Sequence, residues 1–563
     1  MSYKLSRSFL IMKYRPGSSL TATCNLKHLG GVYSTLGILP GRKVPSFPEQ
    51  NIDLMRSWIQ QCIVNHPRCQ TDYDPLLPKR VIDVGISPEM VVQLYESNGK
   101  RANYATLSHR WGKNILLTTT KSTLHARKQA IQWSGLSKTF QDAVILTRLM
   151  GLRYLWIDSL CIIQDDAIDW QIESSNMARI YEKSYVTISA NNSTGMLLGP
   201  SAIRRSHSVQ LEATDLYGEL KNIIIRSPLD HEKFFASSLE GVGLDGSEWE
   251  HDYPLSKRAW CFQERLLATR ILHFTEEEVV FECKTHCECE CGSIVHRKYG
   301  TPLKNLYSGI TREAFAPTGL VTTAWDGWKV VVSPYIQKDI TNPLDILPAL
   351  AGLASRVQSD ELGQYVAGLW GNELALGLFW FADIVSSRKP QIKTAPSFSW
   401  ASLAGTSKVK ELQWQWWSPD NKAKQAYRIV EIHCPVAGLN PYGTVSDGFV
   451  RVHGYVLAIK LKNEQVRLPF NSVVSSKTYE QRAVAFMDRN PITEMTTERD
   501  FVCIFGFTWS QDSDSSEKAK QKVSALILER VGTDVYQRVG CLPFLDNDPT
   551  WERDAEEKDI TII

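Results

Sequence analysis

The chain lacks several features that a protein of 563 residues can carry. No uninterrupted apolar stretch reaches the roughly 20 residues a membrane-crossing helix needs, so no membrane span is expected. Neither charge sign is in excess: 63 basic side chains stand against 61 acidic ones. Nothing electrostatic therefore points to nucleic acid or an anionic lipid surface as a partner. Met1 to Pro16 holds only a four-residue apolar run, Phe9 to Met12, too short for a secretory signal. Twelve cysteines in so long a chain make no disulfide scaffold. Without a secretion signal they read as reduced thiols of a cytoplasmic protein. On the same ground, the sequons at Asn191 and Asn192 read as chance matches. Walker A, H-E-x-x-H and G-x-S-x-G motifs are missing, and no repeat is seen. Gly241 to Gly246 spells G-x-G-x-x-G outside any strand–helix context and reads as a loop.

What is present is ordinary globular material, 43% hydrophobic and 22% charged. Its length suits about three or four domains. Residues 1–103 read as an N-terminal leader region, with loops at Pro40, Gly41, Pro45 and Pro48, a helix from Gln50 to about Asn65, and an exposed segment, 76–85, ending in a short strand. Residues 104–265 alternate. Strands are expected at Asn103–Ser108, Tyr154–Ile163 and Tyr185–Ala190, and helices at Ser137–Met150 and Asp166–Lys183. The apolar run Tyr154–Ile163 suits a strand covered on both faces. This β-α-β-α-β order predicts an α/β fold with a mostly parallel sheet flanked by helices. Residues 191–257 read as an insertion, and a helix at Arg258–Leu267 precedes strands at Arg270–Phe274 and Glu278–Cys283. Residues 266–428 form a mixed helical and loop region, with breaks at Pro343 and Pro348. Residues 429–563 hold long strand-like runs, a β-rich C-terminal domain interrupted by a polar loop, Ser510–Lys522.

Three blocks resemble the motifs of the fungal heterokaryon-incompatibility (HET) family, in order: YATLSHRWG at 104–112, the long stretch LSKTFQDAVILTRLMGLRYLWIDSLCIIQDDAIDWQIESSNMARIY at 136–181, and PLSKRAWCFQER at 254–265. WIQQCIVNHPRC before them, and NPLDILPALAGLA, VAGLW and APSFSWAS after them, resemble segments often found beside that domain. His109-Arg110 departs from the family, which often has an aromatic or small residue there. The resemblance implies a TIR-like α/β module in a protein of self/non-self recognition and programmed cell death, with partner proteins or self-association.

The candidate chemistry centres on Glu173. At helical spacing, Trp170, Met177, Ile180 and Tyr181 share a face, and Glu173 lies in its middle. An inward carboxylate is costly unless paired or functional. Trp170-x-x-Glu173 also resembles the Trp-x-x-Glu helix of TIR domains, whose glutamate acts in cleaving NAD. By that resemblance Glu173 is the candidate catalytic carboxylate and NAD a candidate substrate; no cofactor is assigned. A carboxylate can hold ribose hydroxyls and stabilise oxocarbenium-like charge. The alternative is pairing of Glu173 with Arg110 or Arg153. Asp158, read as part of the buried strand, and the turn Ser108, His109, Arg110, Trp111 and Gly112 are candidates to line the same pocket with Trp170; the alternatives are Asp158 capping a neighbouring loop and a tight turn with Trp111 buried. There Trp111 would stack on a base, Arg110 pair with phosphate and Gly112 admit the ligand to the backbone. Asp165 and Asp166 read as helix caps. Arg258, Trp260, Gln263 and Glu264 read as packing plus a salt bridge. Cys62, His66 and Cys69 share a helical face, and Cys283, His286, Cys287, Cys289 and Cys291 cluster. Neither group has standard zinc spacing; a structural zinc site would need the two half-sites to combine across the fold, so no metal ligand is assigned and the cysteines read as small buried apolar groups.

Overall fold

A computed structural model describes residues 48–71, 74–111, 117–192, 195–198, 208–214, 220–226, 253–292, 304, 323–387, 392–405, 407–414, 423–463, 470–475, 480–488, 498–511, 520–546 and 553–563. Gly112, the loop 241–246 and residues 227–252 of the 191–257 insertion lie outside them; within it Ser208–Thr214 pairs antiparallel with Leu220–Arg226.

Helix α1 (Ile52–Asn65) buries Met55, Trp58, Ile59 and Cys62, a stripe at helical spacing. Strands β1 (Arg80–Asp83) and β2 (Gln93–Glu96) follow; all four residues of β1 are buried, and of the segment expected to be exposed, 76–85, only Leu76 and Lys79 are. Strand β3 (Tyr104–Ser108) is buried throughout. Helix α2 (Lys138–Leu149) starts where the Ser137 hydroxyl accepts the Phe140 N–H, and it ends at Gly151, whose φ of 75° suits glycine. Strand β4 (Tyr154–Trp156) is shorter than expected: the chain turns into a single helical turn at Asp158–Cys161. Helix α3 (Ala167–Lys183) is capped by Asp166, which accepts the Ile168 and Asp169 N–H groups. Strand β5 (Val186–Ser189), helix α4 (Ala259–Leu267) and strands β6 (Arg270–Phe274), β7 (Val279–Cys283) and β8 (Cys287–Cys289) complete this part.

The eight strands form one sheet in the order β8-β7-β6-β5-β3-β4-β1-β2. Only its centre is parallel: β3 pairs in parallel with β4 and β5, and β5 with β6. Both flanks are antiparallel, because short connections joining β1 to β2 and β6 to β7 to β8 cannot make parallel crossovers. From β3 the chain moves to β4 on one side, then crosses to β5 on the other. This is the order of a doubly wound sheet with a switch point at β3 and β5. Right-handed crossovers put α2 and α3 on opposite faces. Consistent with that, Arg56 of α1 donates to the Leu149 carbonyl at the end of α2. On the other face α3 and α4 meet α6 (Pro348–Val357), which follows α5 (Ala324–Tyr335). The Gly352 N–H donates to Gln263 Oε1 at 2.7 Å. A Cβ at Gly352 would lie 2.6 Å from that of Ala178, so only glycine lets these three helices meet.

The C-terminal region is β-rich, as expected. Pairings run from Phe449–Asn463 through Phe470–Ser475, Glu480–Met487, Val535–Asp546, Lys520–Gly532 and Glu498–Gln511 back to Phe449–Asn463. That ring is a closed antiparallel barrel, which leaves its members no free edge. Leu457, Ile459, Cys503, Phe505, Ile527 and Leu542 belong to one buried cluster. Strands run to Gln511 and from Lys520, so the ends of the expected Ser510–Lys522 loop are strand. Pairing partners on both sides carry the ladder past the polar residues.

Candidate functional site at the ends of the parallel strands

Asp158 is not inside β4. It opens the helical turn just beyond the strand's C-terminal end, because its carboxylate accepts the Ser159 N–H at 2.7 Å and so favours a turn over extension. Its other oxygen accepts the Trp111 indole N–H at 2.8 Å. His109 Nδ1 stands 3.7 Å from Asp158 Oδ1, and the His109 ring meets Phe140 edge-on at 5.1 Å. His109 is 6% exposed, and its Nε2 has no hydrogen-bond partner among the described residues. Burial lowers its pKa, opposed by the Asp158 charge, so the ring is neutral near pH 7. Arg258 donates to the His109 carbonyl at 3.3 Å. Trp111 is 40% exposed, so its ring face remains open to stacking. Arg110 is exposed.

Ser108 ends β3 and faces α4. There Glu264, 5% exposed, is pushed up to about 7 by burial, a shift opposed by the Ser108 hydroxyl and by Arg258. Among the described residues it makes no salt bridge of the kind expected; its Oε2 is buried without a hydrogen-bond partner, and its neighbour Trp260 donates instead to Asp345 at 3.1 Å. Ser108, Thr187, Ser189, Cys261 and His273 line a cavity of about 30 Å³ between the switch point and α4. That is room for a water, not for a nucleotide.

Glu173 lies in a second place. Its carboxyl is 2% exposed and lines an open cleft of about 240 Å³ with Lys79, Ser97, Gly99, Asn176 and Arg179. Ser108 lines the first cavity and Glu173 the second, and the two cavities share no lining residue. Neither arginine considered as its partner pairs with Glu173: Arg153 grips Asp83 through two nitrogens, and Arg110 is exposed. Burial raises the Glu173 pKa, while Arg80 pulls it down. Arg80 itself is fully buried, donates to the Cys161 carbonyl at 2.7 Å and pairs with Asp169. Asp169, held also by Lys79 at 2.8 Å, stays below its ordinary pKa although burial alone would raise it. Trp170, the turn before Glu173, meets Trp260 edge-on at 6.4 Å and so faces α4.

A parallel centre wound to both sides of β3, with helices on it, defines a doubly wound α/β domain. The more particular identity comes from the sequence. Residues 104–264 match the family model described as Heterokaryon incompatibility protein (HET), so the chain carries a heterokaryon-incompatibility domain there. No curated protein and no solved structure matches it. The polar groups around Glu173 had one sequence signal, the basic pair Lys79-Arg80 just before a strand. Glu264 had another, its place one turn after Trp260 in the closing motif.

Proposed function

We propose that this protein acts in fungal self/non-self recognition and programmed cell death as a cytoplasmic, TIR-like enzyme that cleaves NAD at the nicotinamide–ribose bond. The observation that carries this reading is Glu173: a buried carboxyl with no ion pair among the described residues, open to a cleft that Lys79 and Arg179 flank. Glu173 would accept hydrogen bonds from the ribose hydroxyls and stabilise positive charge as nicotinamide leaves. Lys79 and Arg179 would hold the diphosphate. Trp111, exposed and held by Asp158 beside His109, would offer a stacking face for a base outside that cleft.

The size of the cleft favours a second reading. At about 240 Å³ it is smaller than the roughly 300–1,000 Å³ of most small-molecule sites. The module would then signal by assembling with partner proteins or with itself, without chemistry. Incubation of the full chain with NAD separates the two. Nicotinamide release that Glu173→Gln abolishes, with melting unchanged, is the enzyme's result. Release that survives the substitution removes Glu173 from catalysis, and no release from the wild-type chain in any oligomeric state selects the assembly reading.

A further inference from the structure

Away from both cavities, the fold gathers four side chains that sequence spacing leaves in two unrelated groups. Cys62 lies in the last turn of α1, and His66 follows one turn later, its N–H donating to the Cys62 carbonyl at 3.1 Å. Pro67 then bends the chain into a 3-10 turn, Pro67–Cys69, which returns the Cys69 sulfur toward Cys62. Arg270 of β6 fastens this bend, donating to the Cys69 carbonyl at 2.9 Å and to the Thr71 hydroxyl at 3.1 Å. From the far end of the domain comes Cys283, the last residue of β7. Its sulfur lies 3.4 Å from His66 Nδ1. The ligand atoms of all four residues lie within 4.8 Å of one another, and the three cysteines are buried.

We propose that Cys62, His66, Cys69 and Cys283 bind one zinc ion as a closed Cys3His structural site. A tetrahedral zinc with bonds of about 2.3 Å to sulfur and 2.0–2.1 Å to nitrogen separates its sulfurs by roughly 3.8 Å and sulfur from nitrogen by roughly 3.5 Å. The observed sulfur–nitrogen separation of 3.4 Å matches, and no pair of ligand atoms is more than 4.8 Å apart. The surroundings suit thiolates: the His286 and Thr285 N–H groups lie 3.1 and 3.4 Å from the Cys283 sulfur, and the Thr285 hydroxyl 3.6 Å from that of Cys69. Backbone N–H groups aimed at a ligating sulfur are the outer-shell support that metal thiolates use. On binding, three thiols release three protons to solvent and their sulfurs donate to the metal. Three soft sulfurs and an imidazole select zinc over magnesium, calcium or manganese. Four protein ligands leave no position for substrate, so the ion staples α1 to the β7–β8 hairpin rather than doing chemistry.

The full chain, grown with zinc and dialysed against a mild chelator, is expected to retain about one zinc per chain by elemental analysis. Cobalt put in its place should give the visible bands of a tetrahedral ion and a thiolate charge-transfer band. Cys283→Ser should weaken that band by about a third, for one thiolate of three, whereas Cys289→Ser should leave it unchanged. Cys289, Cys291 and Glu278 form a separate group of three, so the second variant tests whether metal resides there instead. Should Cys283→Ser fail to fold, alkylation of the wild-type chain decides. Cys62, Cys69 and Cys283 should become reactive only after a strong chelator strips the metal, while buried Cys503 stays protected throughout. A metal-free wild-type chain with no cobalt–thiolate band overturns the proposal. So does a disulfide among the three cysteines, or metal that only Cys289→Ser removes.

Discussion

Glu264 and Glu173 are both buried carboxyls, yet they answer to different neighbours. Glu264 lies on the buried face of α4 near Ser108, where burial carries its pKa from 4.5 to about 7. Its folded form binds a proton more tightly than its unfolded form. Between those two pH values its contribution therefore falls as pH rises, by an amount of order 3 kcal/mol at most. Glu264→Gln removes that slope. Urea midpoints at pH 5 and pH 8 should show the variant gaining on the wild-type chain at the higher pH. A difference independent of pH would mean the carboxyl is not raised. His109 and His273, lowered by burial, act in the opposite sense, resisting protonation so that stability falls with pH below their ordinary range. Comparing wild type with variant at each pH cancels their effect. Arg80 shows why such groups escape a reading of sequence: its carboxylate partner, Asp169, is 89 residues away.

The helices of this domain start and stop on residues whose side chains decide the matter locally. Asp166 caps α3, the helix that carries Glu173, by accepting two N–H groups at 3.1 and 3.2 Å. Lys121 stands 3.3 Å from the same carboxylate, and the Asp166 pKa is lowered, the Asp169 N–H being the largest cause. Asp166→Ala is expected to cost about 1 kcal/mol, and Asp166→Asn or Ser considerably less, read as shifts in denaturation midpoint. Equal losses for alanine and asparagine would show that the cap is not what holds the helix. The Ser137 cap and the Gly151 stop are as readable in the sequence as Asp166. The end of β4 was not: the continuous apolar run to Ile163 hides the point where Asp158 captures the Ser159 N–H and turns the chain. Apolar periodicity measures burial, and both the strand and the turn after it are buried.

At the scale of the molecule, one hydrophobic cluster runs from Met55 in α1 to Ile562 at the last strand, with the barrel interior as a smaller second cluster. The family match, 104–264, ends before β6, β7 and β8 and begins after β1 and β2, so it contains only three of the sheet's eight strands. A fragment limited to those residues would expose both sides of the parallel centre and the face of α4 that Gly352 covers. It is expected to be insoluble or to lack a cooperative melt by circular dichroism, whereas the full chain melts cooperatively. A soluble, cooperatively melting fragment would show that the flanking strands are accessory.

The sequence alone determined what depends on neighbours in the chain: the alternation of strands and helices, the caps, the β-rich C-terminal third and the family motifs. Local chemistry sets those, because helix ends and strand periodicity are decided within a few residues. Only the tertiary structure decided which distant groups meet. It put Ser108 and Glu173 against different cavities, placed Lys79 and Arg179 beside that glutamate, brought Glu264 near Ser108 and carried Cys283 to Cys62, His66 and Cys69. Antiparallel flanks around a parallel centre fix those meetings, and strand order in a sheet follows from how whole elements pack, which no short window of sequence contains.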